Sequence, residues 1–364
     1  MSDKKIATKG FLSISKPNKL FIRLSLILII GIILLLNGIT LVKQQSFKHK
    51  SQTDKLAIIS HSFEDSNLLG SVILVKDGKT LFTHSYGYAD KKNNVLNTPV
   101  TLYPVASLQK KMTAVIIAQL IRENKLTYDT TIDTFFTDLE YSEDITIRDL
   151  LDHTSGYAMP ETPSRKVLST EKEQLDNVLK TSFFVEHGEP YYSNGNYSLL
   201  ASIISQIEGT SYKDALKKRI FVPLEMTSSY LWDDIPKNTL LPKEYSSING
   251  LSYQTNHRIY SQELMSTLLG AGNVFSTVSD MAIFFSSLNN NSLLSQAEYD
   301  ELFHFNEPIM TSGNISASGV SGGYSSYFYG DITNQTFVIF LANQPSNEYP
   351  DQLLTQVYQQ LLLF

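Results

Sequence analysis

Two short clusters in this chain carry side chains that could act together on a carbonyl: Ser107-Leu-Gln-Lys110 and, well downstream, Tyr192-Ser-Asn194. A serine hydroxyl is a weak nucleophile until a neighbouring group takes its proton, so its value depends on what stands beside it. Met112, Val115, Ile116, Leu120 and Ile121 recur at three- and four-residue intervals, which predicts a helix over residues 107–122 buried along one side. On that helix Lys110 is one turn from Ser107. The first turn also holds the unpaired N–H groups and the positive dipole end, which favour an oxyanion and disfavour a protonated lysine. Together these residues point to covalent acyl transfer.

Ser-x-x-Lys alone is a weak signal, and it recurs at Ser13 to Lys16 and at Ser169 to Lys172. Ser107 differs from those two in its setting. It follows Leu102-Tyr-Pro-Val-Ala106 and precedes a long apolar helix, and Tyr192-Ser-Asn194 is the one Tyr-x-Asn of the sequence. That second cluster follows the turn-forming His187-Gly-Glu-Pro190 and leads into a helix whose core face is Leu199, Leu200, Ile203, Ile204 and Ile207. A rival nucleophile, Ser321 in Gly319-Val-Ser321-Gly-Gly323, has the Gly-x-Ser-x-Gly form of a nucleophile elbow, which requires a later histidine. No histidine follows His304, so Ser321 is assigned to the wall of the site.

On these motifs the chain resembles the serine β-lactamase and penicillin-binding-protein superfamily, in the branch of class C β-lactamases, D-alanyl-D-alanine carboxypeptidases and related esterases. The likeness extends to Gly70-Ser-Val-Ile-Leu-Val75, to Ile145-Thr-Ile-Arg-Asp-Leu-Leu-Asp-His-Thr-Ser-Gly156, to Pro223-Leu-Glu-Met226 and to Gly270-Ala-Gly-Asn-Val-Phe-Ser-Thr277. The resemblance implies that Ser107 is the nucleophile and that Lys110 or Tyr192 removes its proton. It also implies that Asn194 orients Lys110 and substrate, and that the N–H groups of Ser107 and Val320 form the oxyanion hole. Tyr192 is expected to activate the deacylating water with its pKa lowered by Lys110, and His153 to be a structural hydrogen-bonder.

The family's third motif, a Lys or His before Thr or Ser and Gly, is altered. Ala317 stands in the cation's place, followed by Ser318, Gly319 and Ser321 along the substrate-binding strand. In the family that cation helps to hold a substrate carboxylate, and losing a charge-assisted partner costs about ten- to a hundred-fold in binding. A D-alanyl ester of teichoic acid has no carboxylate beside its scissile bond, so a D-alanyl esterase is ranked above a D-alanyl-D-alanine carboxypeptidase or penicillin-binding protein. A weakly active wall-fragment sensor is a third reading, and β-lactamase activity ranks last.

The chain has 364 residues and no cysteine, which excludes a disulfide framework. Residues 24–42 are uncharged over about 19 positions, or ~28 Å of helix, enough to cross a bilayer. The preceding residues 1–23 are basic, which predicts a cytoplasmic tail, an uncleaved signal anchor, a tether at 43–54 and an extracellular hydrolase domain at 55–364. Residues 1–50 hold nine Lys or Arg and one acid, a net of +8; the remaining 21 basic and 35 acidic residues give −14. An acidic domain suits an ammonium-bearing envelope substrate and argues against a nucleic-acid partner. The histidines are scattered, with no ligand spacing for a metal and no phosphate-binding glycine loop, so neither metal nor cofactor is expected. The expected fold is α+β. An antiparallel sheet is flanked by N- and C-terminal helices beside a mostly helical subdomain, behind one transmembrane helix, and the location is the cell membrane of a Gram-positive bacterium.

Overall fold

The computed structural model describes residues 44–248, 252–255, 261–303, 315–345 and 348–364, together with residues 25, 28–30 and 32. The basic tail and most of the apolar run 24–42 lie outside the described residues, and among the described residues no helix is long and apolar enough to cross a membrane. Residues 44–48 are helical, within the segment expected to be a tether. The chain divides into two units, residues 1–52 and 53–364, and the second carries the architecture that follows.

Helix α1 (Gln52–Asp65) leads into a hairpin of strands β1 (Gly70–Lys76) and β2 (Lys79–Tyr86). Asp77 and Gly78 make its turn with φ of 50° and 74°, the pair of positive angles that a tight hairpin requires and that Asp-Gly supplies cheaply. Helix α2 (Gln109–Arg122) starts just beyond Ser107. Its residues from Lys110 to Leu120 are all buried except Lys111, so the expected one-sided burial is corrected: α2 is surrounded, with the sheet domain and the helical subdomain on either side of it. Helix α3 (Asn194–Glu208) follows, then helix α4 (Val278–Ser286), strands β3 (Ile315–Ser321), β4 (Tyr324–Asp331) and β5 (Thr336–Ala342), and helix α5 (Glu348–Leu361).

The five strands form one antiparallel sheet in the order β3-β4-β5-β1-β2. β5 lies in its middle and is buried at every position, the continuous apolar pattern of a strand covered on both faces. On one face α1 and α5 meet. Phe63 stacks on Tyr86 at 5.3 Å, Lys55 Nζ donates to the Leu363 carbonyl at 2.6 Å, and Leu353, Leu354, Val357 and Leu361 of α5 are buried. On the other face α4 packs, with Phe285 stacked on Phe328 at 4.1 Å. The sheet edge left for the site is β3.

Candidate active site

The approach to Ser107 is fixed before its side chain is considered. Tyr103–Pro104 pairs with Val274–Ser276, and the Val105 N–H continues that ladder to the Val274 carbonyl at 2.9 Å. Ala106 then takes a left-handed conformation, φ 48°, which costs a non-glycine residue about 1–3 kcal/mol and is held only where its surroundings dictate it. Ser107 follows in a single 3₁₀ turn, Ala106–Leu108, which runs directly into α2. The expected α-helix at Ser107 is therefore a tighter turn, because the left-handed residue ahead of it lets no α-helical bond start earlier. Gln109, fully buried, locks the turn: its Oε1 accepts from the N–H groups of Asn273 at 2.5 Å and Val274 at 2.8 Å.

Tyr192 is held by a different route. Residues 185–191 are laced to 153–156 through Val185 to Gly156, Gly188 to Thr154 and Tyr191 to His153, each N–H donating to a carbonyl at 2.8 Å. Ser193 then caps α3, its Oγ accepting from Gly195 N–H at 3.2 Å and from Met159 N–H at 3.0 Å. His153 supports this corner as an acceptor. Its Nδ1 takes the Ser193 N–H at 3.2 Å, its ring lies 4.4 Å from that of Tyr192, and burial pushes its pKa down to about 3, helped by the Lys110 charge.

These elements bring Ser107, Lys110, Tyr192 and Asn194 together. Ser107 Oγ is 2.7 Å from the Tyr192 hydroxyl and 3.1 Å from Lys110 Nζ. Lys110 Nζ also donates to Asn194 Oδ1 at 2.7 Å and to the Ala271 carbonyl at 2.9 Å. Both of those oxygens can only accept, so they take two N–H groups of the amine and leave its third position directed at Ser107. In a neutral lysine that third position is the lone pair. Burial lowers the Lys110 pKa from 10.5 to about 7, and the charge of Glu161 works weakly the other way. A base poised near neutrality, with its lone pair aimed at the nucleophile, follows from those contacts.

Tyr192 departs from the expectation for its pKa. Burial raises it, the Ser107 hydrogen bond opposes that, and Glu161 adds to the rise. The residue as a whole is 58% exposed, so the rise is a direction and no more. A neutral phenol is thus the resting form, able to donate to Ser107 Oγ while that hydroxyl turns toward Lys110.

The third wall is β3. Ala317 and Ser318 line a cleft of about 280 Å³ that also contains Ser107, Lys110 and Tyr192. Gly319 is buried against the nucleophile's turn, where an added Cβ would stand 2.6 Å from Ser107 N and 2.9 Å from Ala106 Cβ. That contact brings the strand to the Ser107 N–H, with Val320 next along it and exposed. Ser321 is only 2% exposed, its Oγ has no partner among the described residues, and it does not line the cleft. It precedes the Gly322-Gly323 turn into β4, a strand-to-strand connection and not an elbow into a helix. Of the other Ser-x-x-Lys matches, Ser2 to Lys5 and Ser13 to Lys16 lie outside the described residues, and Lys172 is an exposed partner of Asp176 at 2.9 Å. Sequence reasoning missed three participants: the Ala271 carbonyl, Glu161 and Lys111, the last lining the cleft one turn beyond Ser107. Only Lys111 left a signal, being four residues from the serine on one helix.

The beta-lactamase family profile matches residues 59–362. The chain is 27% identical over 331 residues to a Bacillus subtilis (strain 168) protein named penicillin-binding protein PbpX, covering 88% of this chain and 83% of that one. It is 26% identical over 265 residues to the teichoic acid D-alanine hydrolase of Staphylococcus aureus, covering 70% of this chain and 63%, less than two thirds, of that protein's length. Among solved structures, FmtA from Staphylococcus aureus superposes with a TM-score of 0.75 at 22% identity, over 86% of this chain and 88% of that one.

Proposed function

Since the chain belongs to the beta-lactamase family and is a serine hydrolase of that kind, we propose that it cleaves D-alanyl esters of the cell envelope, with teichoic acid as the carrier. The observation that carries the reading is the pairing of an intact nucleophile cluster, with Ser107 Oγ at 2.7 and 3.1 Å from Tyr192 and Lys110, with alanine at 317 in the cleft wall. Acyl transfer needs the first; a carboxylate beside the scissile bond would miss a cation at the second. The relative named as a teichoic acid D-alanine hydrolase supports the same substrate.

In this mechanism Lys110 is the acylation base. Ser107 Oγ bonds to the ester carbonyl carbon as its proton passes to Lys110 Nζ, and the oxyanion sits between the N–H groups of Ser107 and Val320. The proton then goes to the departing polyol oxygen, directly or through the Tyr192 hydroxyl, and a D-alanyl ester of Ser107 remains. Water attacks that ester, giving its proton to the same Lys110–Tyr192 pair, which passes a proton to Ser107 Oγ as the acyl–oxygen bond breaks, and free D-alanine leaves. Asn194 fixes Lys110 and keeps its lone pair directed. Each oxyanion donor contributes about 3–4 kcal/mol to such a transition state.

The acidic domain, anchored by residues 24–42 with the site outside the cell, would meet its substrate at the membrane surface, and its charge favours the alanyl ammonium. The test is a substrate panel on the protein: D-alanyl ester of a polyol phosphate, stem pentapeptide ending in D-alanyl-D-alanine, and nitrocefin. Faster release of D-alanine from the ester supports the reading. Release predominantly from the pentapeptide would establish the carboxypeptidase alternative, which the name of the PbpX relative favours.

A further inference from the structure

Resting on the D-alanyl ester reading, we propose that Lys111 is the substrate-binding cation of this cleft, replacing from the helix the charge that Ala317 removes from the strand, and that it takes an anionic group of the substrate lying beyond the ester. Lys111 is four residues after Ser107 on continuous helical backbone, which puts the two on one face. It lines the same 280 Å³ cleft as Ser107 and Ala317. Among residues 108–120 it alone is not buried, in a helix otherwise enclosed on all sides. Its neighbour Lys110 is enclosed and committed to Ser107, Asn194 and Ala271, so it has no donor to give an anion.

The position of the amine decides what it can recognise. Lys111 Nζ lies over the Phe303 ring, 4.6 Å from its centroid, and Phe303 is a cleft-lining side chain at the end of the helix Gln296–Phe303. The ring holds the stem to the wall and presents the charge on the helix side of the cleft, across from β3. A carboxylate one bond from the scissile carbonyl's leaving atom would be held by the strand; an anion set further along the leaving group falls to the helix side. A phosphate linking polyol units is such a group, and a more distant carboxylate shares its chemistry. A lysine, a point charge on a flexible stem, suits a repeating phosphate whose spacing from the ester varies.

The experiment measures acylation of Ser107 by a matched set of activated esters of one acyl group, whose leaving groups are neutral, phosphate-bearing or carboxylate-bearing. It reads only the covalent step, so it does not depend on whether D-alanine esters are the natural substrate; the panel above decides that separately. The expected result is that Lys111→Met lowers the ratio of anionic to neutral acylation rates by about ten-fold, through KM, as for loss of one charge-assisted bond. Lys111→Arg should keep the ratio, and added salt should lower it in the wild type and in Lys111→Arg but not in Lys111→Met. A ratio ignores the folded fraction, so a destabilised variant still reports. A larger effect on the phosphate ester identifies a polyol phosphate, and a larger one on the carboxylate ester identifies a peptide-like acid. An unchanged ratio in Lys111→Met for both anions overturns the proposal.

Discussion

Gly319→Ala isolates the contact between β3 and the nucleophile's turn. The added Cβ would stand 2.6 Å from Ser107 N and 2.9 Å from both Ala106 Cβ and Ser326 Oγ, where ordinary contact begins at 3.4 Å. The shortfall at the nitrogen is thus 3.4 minus 2.6, or 0.8 Å. None of the three neighbours gives easily. Ser107 N is backbone, Ala106 is already left-handed at φ 48°, and Ser326 Oγ is tied to the Val105 carbonyl at 2.7 Å. β3 is the edge strand, paired only with β4 on its other side, so the cheapest relief is for β3 to withdraw from the turn. Such overpacking costs about 1–3 kcal/mol of stability. The functional cost is larger. On the proposed mechanism Val320 N–H is an oxyanion donor acting within about 2.7–3.1 Å of the charge, so a retreat of several tenths of an ångström takes it out of reach, for a loss of about 10²–10³ in rate. The assay is single-turnover acylation by an activated ester, beside a thermal melt. A variant that melts within a few degrees of wild type yet acylates a hundred times more slowly agrees with the reasoning; full-speed acylation would refute it.

Lys110, lowered to about 7, must lose its proton to act, so the acylation rate should climb with pH about a midpoint near 7. Because the Glu161 charge raises that pKa, Glu161→Gln should move the midpoint to lower pH; an unmoved profile would show that Glu161 does not act on the base. The same shift sets a stability trend. The unfolded lysine titrates near its ordinary 10.5 and binds more protons between the two values, so stability rises with pH from about 7 toward 10.5 and is lost as pH falls through 7. Lys110→Met should flatten that slope in melts taken across the range. Ala317→Lys restores a cation to the strand and should speed acylation by penicillin; no gain would mean that the position does not meet the substrate's carboxylate.

Local signals foretold the parts of this molecule that local chemistry determines. The spacing of Leu199, Leu200, Ile203 and Ile204 marked the buried face of α3, and a three-residue interval put Lys110 beside Ser107. What was hidden depends on residues far apart in sequence. The burial of α2 on all sides comes from domains that close around it, and periodicity sees only the strongest face. The left-handed Ala106 has no compositional mark, since an alanine reaches that angle only when Val105 and Gln109 are bound to residues 273–274 on either side of it. Tyr192's raised pKa follows from its placement in the folded cleft, which no spacing encodes. The Ala271 carbonyl that helps aim Lys110 belongs to backbone, and the identity of a side chain says nothing about it.

The central claim is that Ser107 Oγ carries the acyl group. It is tested most directly by trapping the protein with a fluorophosphonate or an activated ester and locating the added mass by peptide mapping. The account predicts one adduct, on the peptide bearing Ser107, absent from Ser107→Ala. An adduct on another serine, Ser321 included, or undiminished labelling of Ser107→Ala, would contradict it.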